Sequence, residues 1–302
     1  MQVVYGHTDS IYVTIDSISE AKKVCKHLNA HVQSLFPNEL NLPVHPVQLE
    51  FEKFFQTLGV GTVMNRNAGL ISWKDGVTLN KPEFMMTGFT AKRQSVIPLE
   101  KEVQTKVIKM WVNECTQSEI TEYSRGMFNK VKLGNTNLEL LAKRQRVKEN
   151  RLKVKCPDCR KRYDLKDLPN LCECGTSKQF FTTLEGKKPS IGSGFAGLFW
   201  WNNTEIGRDK PINDSMYFVK VNTNSHNEFW VHPISGMTKK VEWISAPSFI
   251  ELKELLEGGI QIDYMHYADK VVSKSEPIYK AMNWSTESIS LDERQQTLTE
   301  WF

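Results

Sequence analysis

Tyr5-Gly6-His7-Thr8-Asp9-Ser10 lies between two short apolar runs, Val3-Val4-Tyr5 leading in and Ile11-Tyr12-Val13 with Ile15 leading out. Two β-prone runs about a Gly-His-Thr-Asp turn spell a hairpin whose tip presents the carboxylate of Asp9. Taken alone, the same letters also describe an ordinary surface turn, since Gly, Asp and Ser are common there. The rest of the chain decides between the two.

At 302 residues the chain can bury a substantial core and predicts two domains. It is 40% hydrophobic and 25% charged, and no stretch approaches the ~18 uninterrupted apolar residues of a membrane span. No basic segment followed by an apolar one opens the chain, so the expectation is a cytoplasmic protein without a secretory signal. The net charge of +4 is mild, but it is unevenly spread. Between Lys143 and Arg162 stand ten Lys/Arg against only Glu149 and Asp158. Such a run is either a solvated face or a surface that tracks phosphates. The latter reading makes Lys143, Arg144 and Arg146 candidate DNA contacts.

Cys156, Cys159, Cys172 and Cys174 give C-x2-C-x12-C-x-C, while Cys25 and Cys115 stand alone in helix-like segments and read as small apolar residues. Without a signal peptide, disulfides are the weaker reading of the four. Two close thiolate pairs suit a tetrahedral zinc ion, each pair closing a tight turn, with Gly175 letting the chain leave the second. A closed four-sulfur site has no open position, so this zinc is expected to be structural.

Periodicity predicts a helix over 18–36, capped by Ser17 or Ser19 and stopped by Pro37. Strand-like runs follow at 47–58, 69–73, 77–79 and 83–89, with a Lys74-Asp75-Gly76 turn among them. Helical spacing returns at 98–114, with Pro98 at its start, and at 118–131. Beyond the cysteines, 216–222 and 228–242 read as strands, and 247–257 and 262–282 as helices. The last residues are polar up to Trp301-Phe302 and read as a flexible tail.

The hexapeptide resembles YGDTDS, the third polymerase motif of family B DNA polymerases, and further pieces resemble that family in its own order. Leu49-Glu50-Phe51-Glu52-Lys53 is similar to the LEFEK strand. Met64-Asn65-Arg66-Asn67-Ala68-Gly69-Leu70 with Trp73-Lys74-Asp75-Gly76 resembles KKRYAGL and the WKDG turn. Gly88-Phe89-Thr90-Ala91-Lys92-Arg93-Gln94-Ser95 is similar to the palm-to-thumb segment GFEAVRSD, and Ile262-Asp263-Tyr264 with the helix after it resembles the closing thumb helix. The likeness is to the C-terminal portion of an archaeal-type enzyme. It implies an α+β fold: a partial palm of antiparallel sheet with helices over 1–95, then a largely helical thumb over 96–285. The cysteine module (about 153–180) looks like an insertion into that thumb, and 286–302 forms the tail. In the family, Asp9 would hold the catalytic magnesium ions, with Glu52 a further palm carboxylate and His7 standing where the family has its first Asp. Arg66 is the sole survivor of three basic positions that grip the primer–template backbone, and Lys92 and Arg93 are further candidate DNA contacts.

Gln295-x-x-Leu298-x-x-Trp301-Phe302 fits the peptide that plugs into sliding clamps of the PCNA type. One helical turn would set Leu298, Trp301 and Phe302 on one side, with Gln295 at the rim. The alternative is a tail folded back on its own thumb.

Polymerases of this kind place two magnesium ions between carboxylates from two separate segments. The chain contains neither DxxSLYPS nor a K-x3-N-x3-YG finger helix, nor the acidic motifs of a proofreading exonuclease. The resemblance therefore implies the small subunit of a split polymerase, or a fragment of a longer one. The opening Met1 and the clamp-type tail favour the subunit. Alone it would be inactive. It would work on primer–template DNA and dNTP with a large partner carrying the other palm carboxylate, fingers and exonuclease, in an archaeal or archaeal-viral replication setting. An imidazole is a poor magnesium ligand. His7 could be tolerated, could slow chemistry, or could mark an inert palm–thumb module that couples DNA to the clamp.

Overall fold

The computed structural model describes residues 1–7, 10–93, 96–148 and 152–291. The chain divides into two compact units. The first holds residues 1–92, 103–125 and the segment from 273 on; the second holds 93–102 and 126–272.

Unit 1 opens with the expected hairpin. β1 (Val3–His7) and β2 (Ser10–Val13) pair antiparallel, with Tyr5 opposite Tyr12, Gly6 opposite Ile11 and His7 opposite Ser10. α1 (Ile18–Leu35) follows. Of the two candidate caps Ser17 is the one used, its hydroxyl accepting from the Glu20 N–H at 3.1 Å. β3 (Lys53–Val60), β4 (Asn67–Lys74) and β5 (Val77–Thr87) form an antiparallel meander with β4 in the middle. Lys74 pairs with Val77, and Asp75 and Gly76 between them both have positive φ (48° and 90°), as a tight two-residue hairpin turn demands. The two runs expected at 77–79 and 83–89 are one continuous β5.

α2 (Pro98–Val112) and α3 (Gln117–Lys132) bury one apolar face each, through Val103, Val107, Ile108 and Val112, and through Ile120 and Val131. Within unit 1 the Thr57 hydroxyl donates to the Val112 carbonyl at 2.7 Å, tying β3 to the end of α2. Cys115, expected in a helix-like segment, lies half-buried between these two helices.

In unit 2, α4 (Leu138–Leu141) leads into β6 (Lys143–Arg146). Next come β7 (Lys153–Lys155), β8 (Arg162–Asp164) and β9 (Thr182–Thr183), which make one small sheet with β7 central. α5 (Ser193–Asn203) and α6 (Glu205–Asp209) precede β10 (Ser215–Lys220). β11 (Phe229–Val231) pairs with β12 (Thr238–Lys240), and β13 (Trp243–Ala246) and β6 flank β10 in a third sheet. α7 (Phe249–Glu257) follows; α8 (Tyr264–Ala281) begins in unit 2, and its residues from 273 on, with α9 (Glu287–Ser290), belong to unit 1. The core of unit 2 is built around α5, whose Phe195, Leu198, Phe199, Trp200 and Trp201 are all buried. A Cβ at Gly197 would collide with Ser245 of β13, so only glycine lets this helix lie so close to the sheet.

Helices with antiparallel sheets bear out an α+β fold. Two details differ from expectation. The stretch 96–285, expected to be largely helical, carries β6 to β13 in three small sheets beside its helices. Of the expected tail, residues 287–290 form α9 instead. Ile289 is fully buried, and the Arg125 guanidinium donates twice to the Ser288 carbonyl, at 3.0 and 2.7 Å. Among the described residues no helix is long and apolar enough to cross a membrane.

Candidate active site and metal centre

The hairpin is anchored at Tyr5. Its hydroxyl donates to Asn65 Oδ1 at 2.9 Å and accepts from the Asn65 N–H at 3.1 Å. Asn65 belongs to the loop between β3 and β4, closed by the Gly61 N–H donating to the Arg66 carbonyl at 2.7 Å. On the other side of Asn65 sits Gly88, at φ 75°, where a Cβ would run into the Asn65 carbonyl. Three of the sequence pieces, the hairpin, the Met64–Leu70 segment and the Gly88 segment, therefore meet at one asparagine. Arg66 is half-buried in that loop. Thr8 and Asp9 lie outside the described residues, so only the backbone pairing of His7 with Ser10 places the hairpin's end.

Glu52 stands just before β3 rather than within a strand. The Leu49-Glu50-Phe51-Glu52 stretch is held by side chains. Asn29 of α1 donates to the Leu49 carbonyl at 2.8 Å and accepts from the Leu49 N–H at 2.6 Å, and the Cys25 thiol donates to the same carbonyl at 3.4 Å. Phe51 stacks on Trp73 with ring centroids 4.3 Å apart. A segment with those bonds satisfied by a helix has no need of a strand ladder. The Glu52 carboxylate is 59% exposed and pairs with Lys53 Nζ at 3.2 Å. It is thus accessible to a cation, though already partly neutralised.

Lys92 ends a short 3₁₀ turn, Thr90–Lys92, and both it and Arg93 are exposed. That turn is fixed by a side chain absent from every sequence motif. Gln104 of α2, 2% exposed, accepts from the Ala91 N–H at 2.6 Å and from the Thr90 hydroxyl at 3.0 Å.

The basic run is divided. Lys143, Arg144 and Arg146 lie on β6, and later members on β7 and β8. Lys143 is half-buried, its Nζ 5.7 Å from the Phe218 ring centroid, while Arg144 and Arg146 are exposed on the alternate face, Arg144 lying 5.9 Å over Tyr217. Those two side chains are open to solvent.

The four cysteines come together. Their sulfurs all lie within 4.8 Å of one another, with Cys156 and Cys174 at 3.5 Å and Cys159 and Cys172 at 3.4 Å. A tetrahedron with Zn–S bonds of about 2.3 Å has S–S edges of roughly 3.8 Å. Backbone turns shape both pairs. The Arg160 N–H donates to the Cys156 carbonyl at 3.1 Å, and the Gly175 N–H, with φ 91°, to the Cys172 carbonyl at 2.8 Å. Around them are two polar residues that the cysteine spacing did not announce. The Tyr163 hydroxyl lies 3.0 Å from Cys172 Sγ, and the Thr176 hydroxyl 3.1 Å from Cys174 Sγ. The Tyr163 bond holds the Cys172 thiol below its ordinary pKa and, with burial, pushes the tyrosine up to about 12. A thiol whose ionisation is favoured and an outer hydroxyl beside it suit a structural zinc site. The donor set fits zinc, which would supply cross-linking of the two turns and no chemistry.

The clamp-peptide residues Gln295, Leu298, Trp301 and Phe302 lie outside the described residues. Comparison with curated proteins finds no match. A family model, DNA polymerase family B, matches residues 1–175, which covers the hairpin, the meander, β6 and the four cysteines. With more than half of its length so matched, the chain belongs to DNA polymerase family B.

Proposed function

We propose that this chain is the small subunit of a split family B DNA polymerase, supplying Asp9 at a hairpin tip to a two-metal site completed by a second polypeptide. Family membership implies DNA and deoxynucleoside triphosphate as substrates and nucleotidyl transfer as the reaction. The observation that carries the split reading is one of sequence: the chain offers one polymerase-type carboxylate hairpin and none of the other palm segment. Two-metal phosphoryl transfer needs carboxylates from more than one segment, and the 302 residues hold no DxxSLYPS.

In this reading Asp9, with Glu52 as a further carboxylate, would hold magnesium. The bound ions would lower the pKa of the primer 3′-hydroxyl and balance the charge of the triphosphate. The protein's own part is positional. Tyr5 and Asn65 fix the hairpin, Arg66, Lys92 and Arg93 with β6 hold the duplex by its phosphates, and the four cysteines fix β7 to β9. The last residues dock on a sliding clamp.

One observation favours a second reading, an inert palm–thumb module that links DNA to the clamp: the chain has His7 where the resembling motif has an acid. One experiment separates the two. Primer extension is measured with the complex of this chain and a DxxSLYPS-bearing partner, as wild type, Asp9→Ala and His7→Asp. The enzyme-subunit reading expects synthesis that needs both chains and falls at least about a hundredfold in Asp9→Ala. Unchanged synthesis in that variant would refute it. A natural complex that is silent until His7→Asp is introduced would establish the inert reading.

A further inference from the structure

The small sheet of β7, β8 and β9 has two faces of different kind. Residues directly opposite on antiparallel strands share a face, and successive residues alternate. One face is apolar. Val154 stands opposite Tyr163 of β8 and Thr183 of β9, and Phe181 stacks on Tyr163 with ring centroids 5.3 Å apart. Val154 and Phe181 are both buried. The other face carries a row that crosses all three strands, with Arg162 opposite Lys155 and Lys155 opposite Thr182. Lys153, opposite Asp164, lies on that same face. Phe181 has an extended backbone, φ −63° and ψ 145°, so Phe180 falls on the side of Thr182 and away from the core.

Two adjacent phenylalanines thus have opposite fates. Phe181 fills the core of the module, while Phe180 is 60% exposed. Its exposure is built by the backbone: in the 3₁₀ turn Lys178–Phe180 the Phe180 N–H donates to the Ser177 carbonyl and the Phe181 N–H to the Lys178 carbonyl, both at 3.1 Å. The face around it is basic. Lys153, Lys155 and Arg162 stand against Asp164, whose carboxylate is occupied by the Lys166 N–H at 2.9 Å. Lys155 Nζ donates to the Leu184 carbonyl at 2.9 Å, which keeps its charge in place and leaves it further donors. Arg162 is exposed and meets no acid among the described residues.

We infer that this face of the cysteine module binds single-stranded DNA, one base stacking on the Phe180 ring while neighbouring phosphates meet Arg162 and Lys155. The cations supply the charge complement of a phosphate chain. The ring selects a single strand, because only an unpaired base has a π-face open to it; in a duplex that face is covered by the next base. The row from Arg162 to Thr182 spans two strand spacings, about 10 Å, which accommodates a short run of nucleotides. A member of a DNA polymerase family meets such a strand wherever its template is unpaired. The inference goes beyond the proposed function by giving the module a ligand of its own. Cys156 directly follows Lys155, so the sulfur cluster that shapes the turns also sets the row.

The test is fluorescence anisotropy on the full chain with labelled oligo-dT and with a blunt duplex of equal length, each titrated with salt. Phe180→Ala and Phe180→Leu should each weaken oligo-dT binding about tenfold and leave duplex binding unchanged, while Phe180→Tyr, which keeps the ring, binds as the wild type does. Arg162→Ala should flatten the oligo-dT salt slope by roughly 0.7. Equal loss on both ligands, or no loss with Phe180→Ala, would overturn the inference. Wild-type binding by Phe180→Leu would also overturn it, since the side chain would then serve as an apolar contact suited to a protein. A second measurement uses the unaltered chain: an iodouracil-bearing oligo-dT, on irradiation, should crosslink to the peptide that holds Phe180. Crosslinks confined to other peptides would overturn the inference whatever the variants do. Neither readout involves a partner chain or nucleotide incorporation. Failure here would leave the split-polymerase reading intact, and failure of the Asp9→Ala experiment would leave this site intact.

Discussion

Asn65 sits in the left-handed region at φ 65°, and a single phenolic hydroxyl meets both its backbone N–H and its side-chain oxygen. Asparagine tolerates that backbone better than most residues, and the Tyr5 hydroxyl supplies partners on both sides. Gly88 must then be glycine twice over, for its own φ of 75° and for the Asn65 carbonyl against it. Gly88→Ala should cost more than about 1 kcal/mol, because both the backbone strain and the collision oppose it. Tyr5→Phe should cost about 0.5–1.5 kcal/mol, the usual net worth of a hydrogen bond, since these groups can turn to water. The two changes act on one residue, so their effects should not add. Urea unfolding of the single and double variants measures this, and strict additivity would show that Asn65 does not connect them.

At the scale of elements, the zinc-type module stands on very little else. β7, β8 and β9 are two or three residues long, and their local core is Val154, Leu165 and Phe181 with Cys156 and Cys172 themselves. Strands this short are not stable without a cross-link or a large apolar face. Removing the metal with a chelator should open residues 153–183 to protease, while the α5 core, with its buried Trp200 and Trp201, resists. Cleavage unchanged by chelation would mean that the turns hold without metal. The difference between this module and α5 also explains what could be read from sequence. Cysteine spacing, an Asp-Gly turn and a Ser cap each leave a local chemical mark, so the four-cysteine cluster, the β4–β5 hairpin and α1 were legible. α5 leaves none. It is apolar on every side because it is buried on every side, and no amphipathic period survives for pattern reading to find. The Leu49–Glu52 stretch misleads in the opposite direction. Its letters suit a strand, but Asn29, twenty residues earlier, takes the Leu49 backbone bonds.

For the whole molecule, the proposed reading gives charge and tail separate parts in engaging partners. Trp301 and Phe302 at the end of a polar stretch are costly in water unless a pocket covers them. Deleting them should abolish stimulation by the sliding clamp and leave clamp-free primer extension nearly unchanged; equal loss of both would place the aromatics in the enzyme's own fold. DNA binding should follow a different rule. The net charge of +4 is too small to attract a duplex by itself, so affinity must come from where cations are displayed. Arg144 and Arg146 are displayed on the exposed face of β6, whereas Lys143 turns toward Phe218. Each phosphate contact lowers the slope of log K against log salt by roughly 0.9. Replacing Arg144 and Arg146 together by alanine should therefore flatten that slope by about 2 and weaken binding to all duplex sequences alike, because phosphates carry no sequence. Lys143→Ala should leave the slope nearly where it was. A salt titration of binding by fluorescence anisotropy distinguishes these outcomes, and a slope that responds to Lys143 but not to the two arginines would move the DNA to the other face of β6.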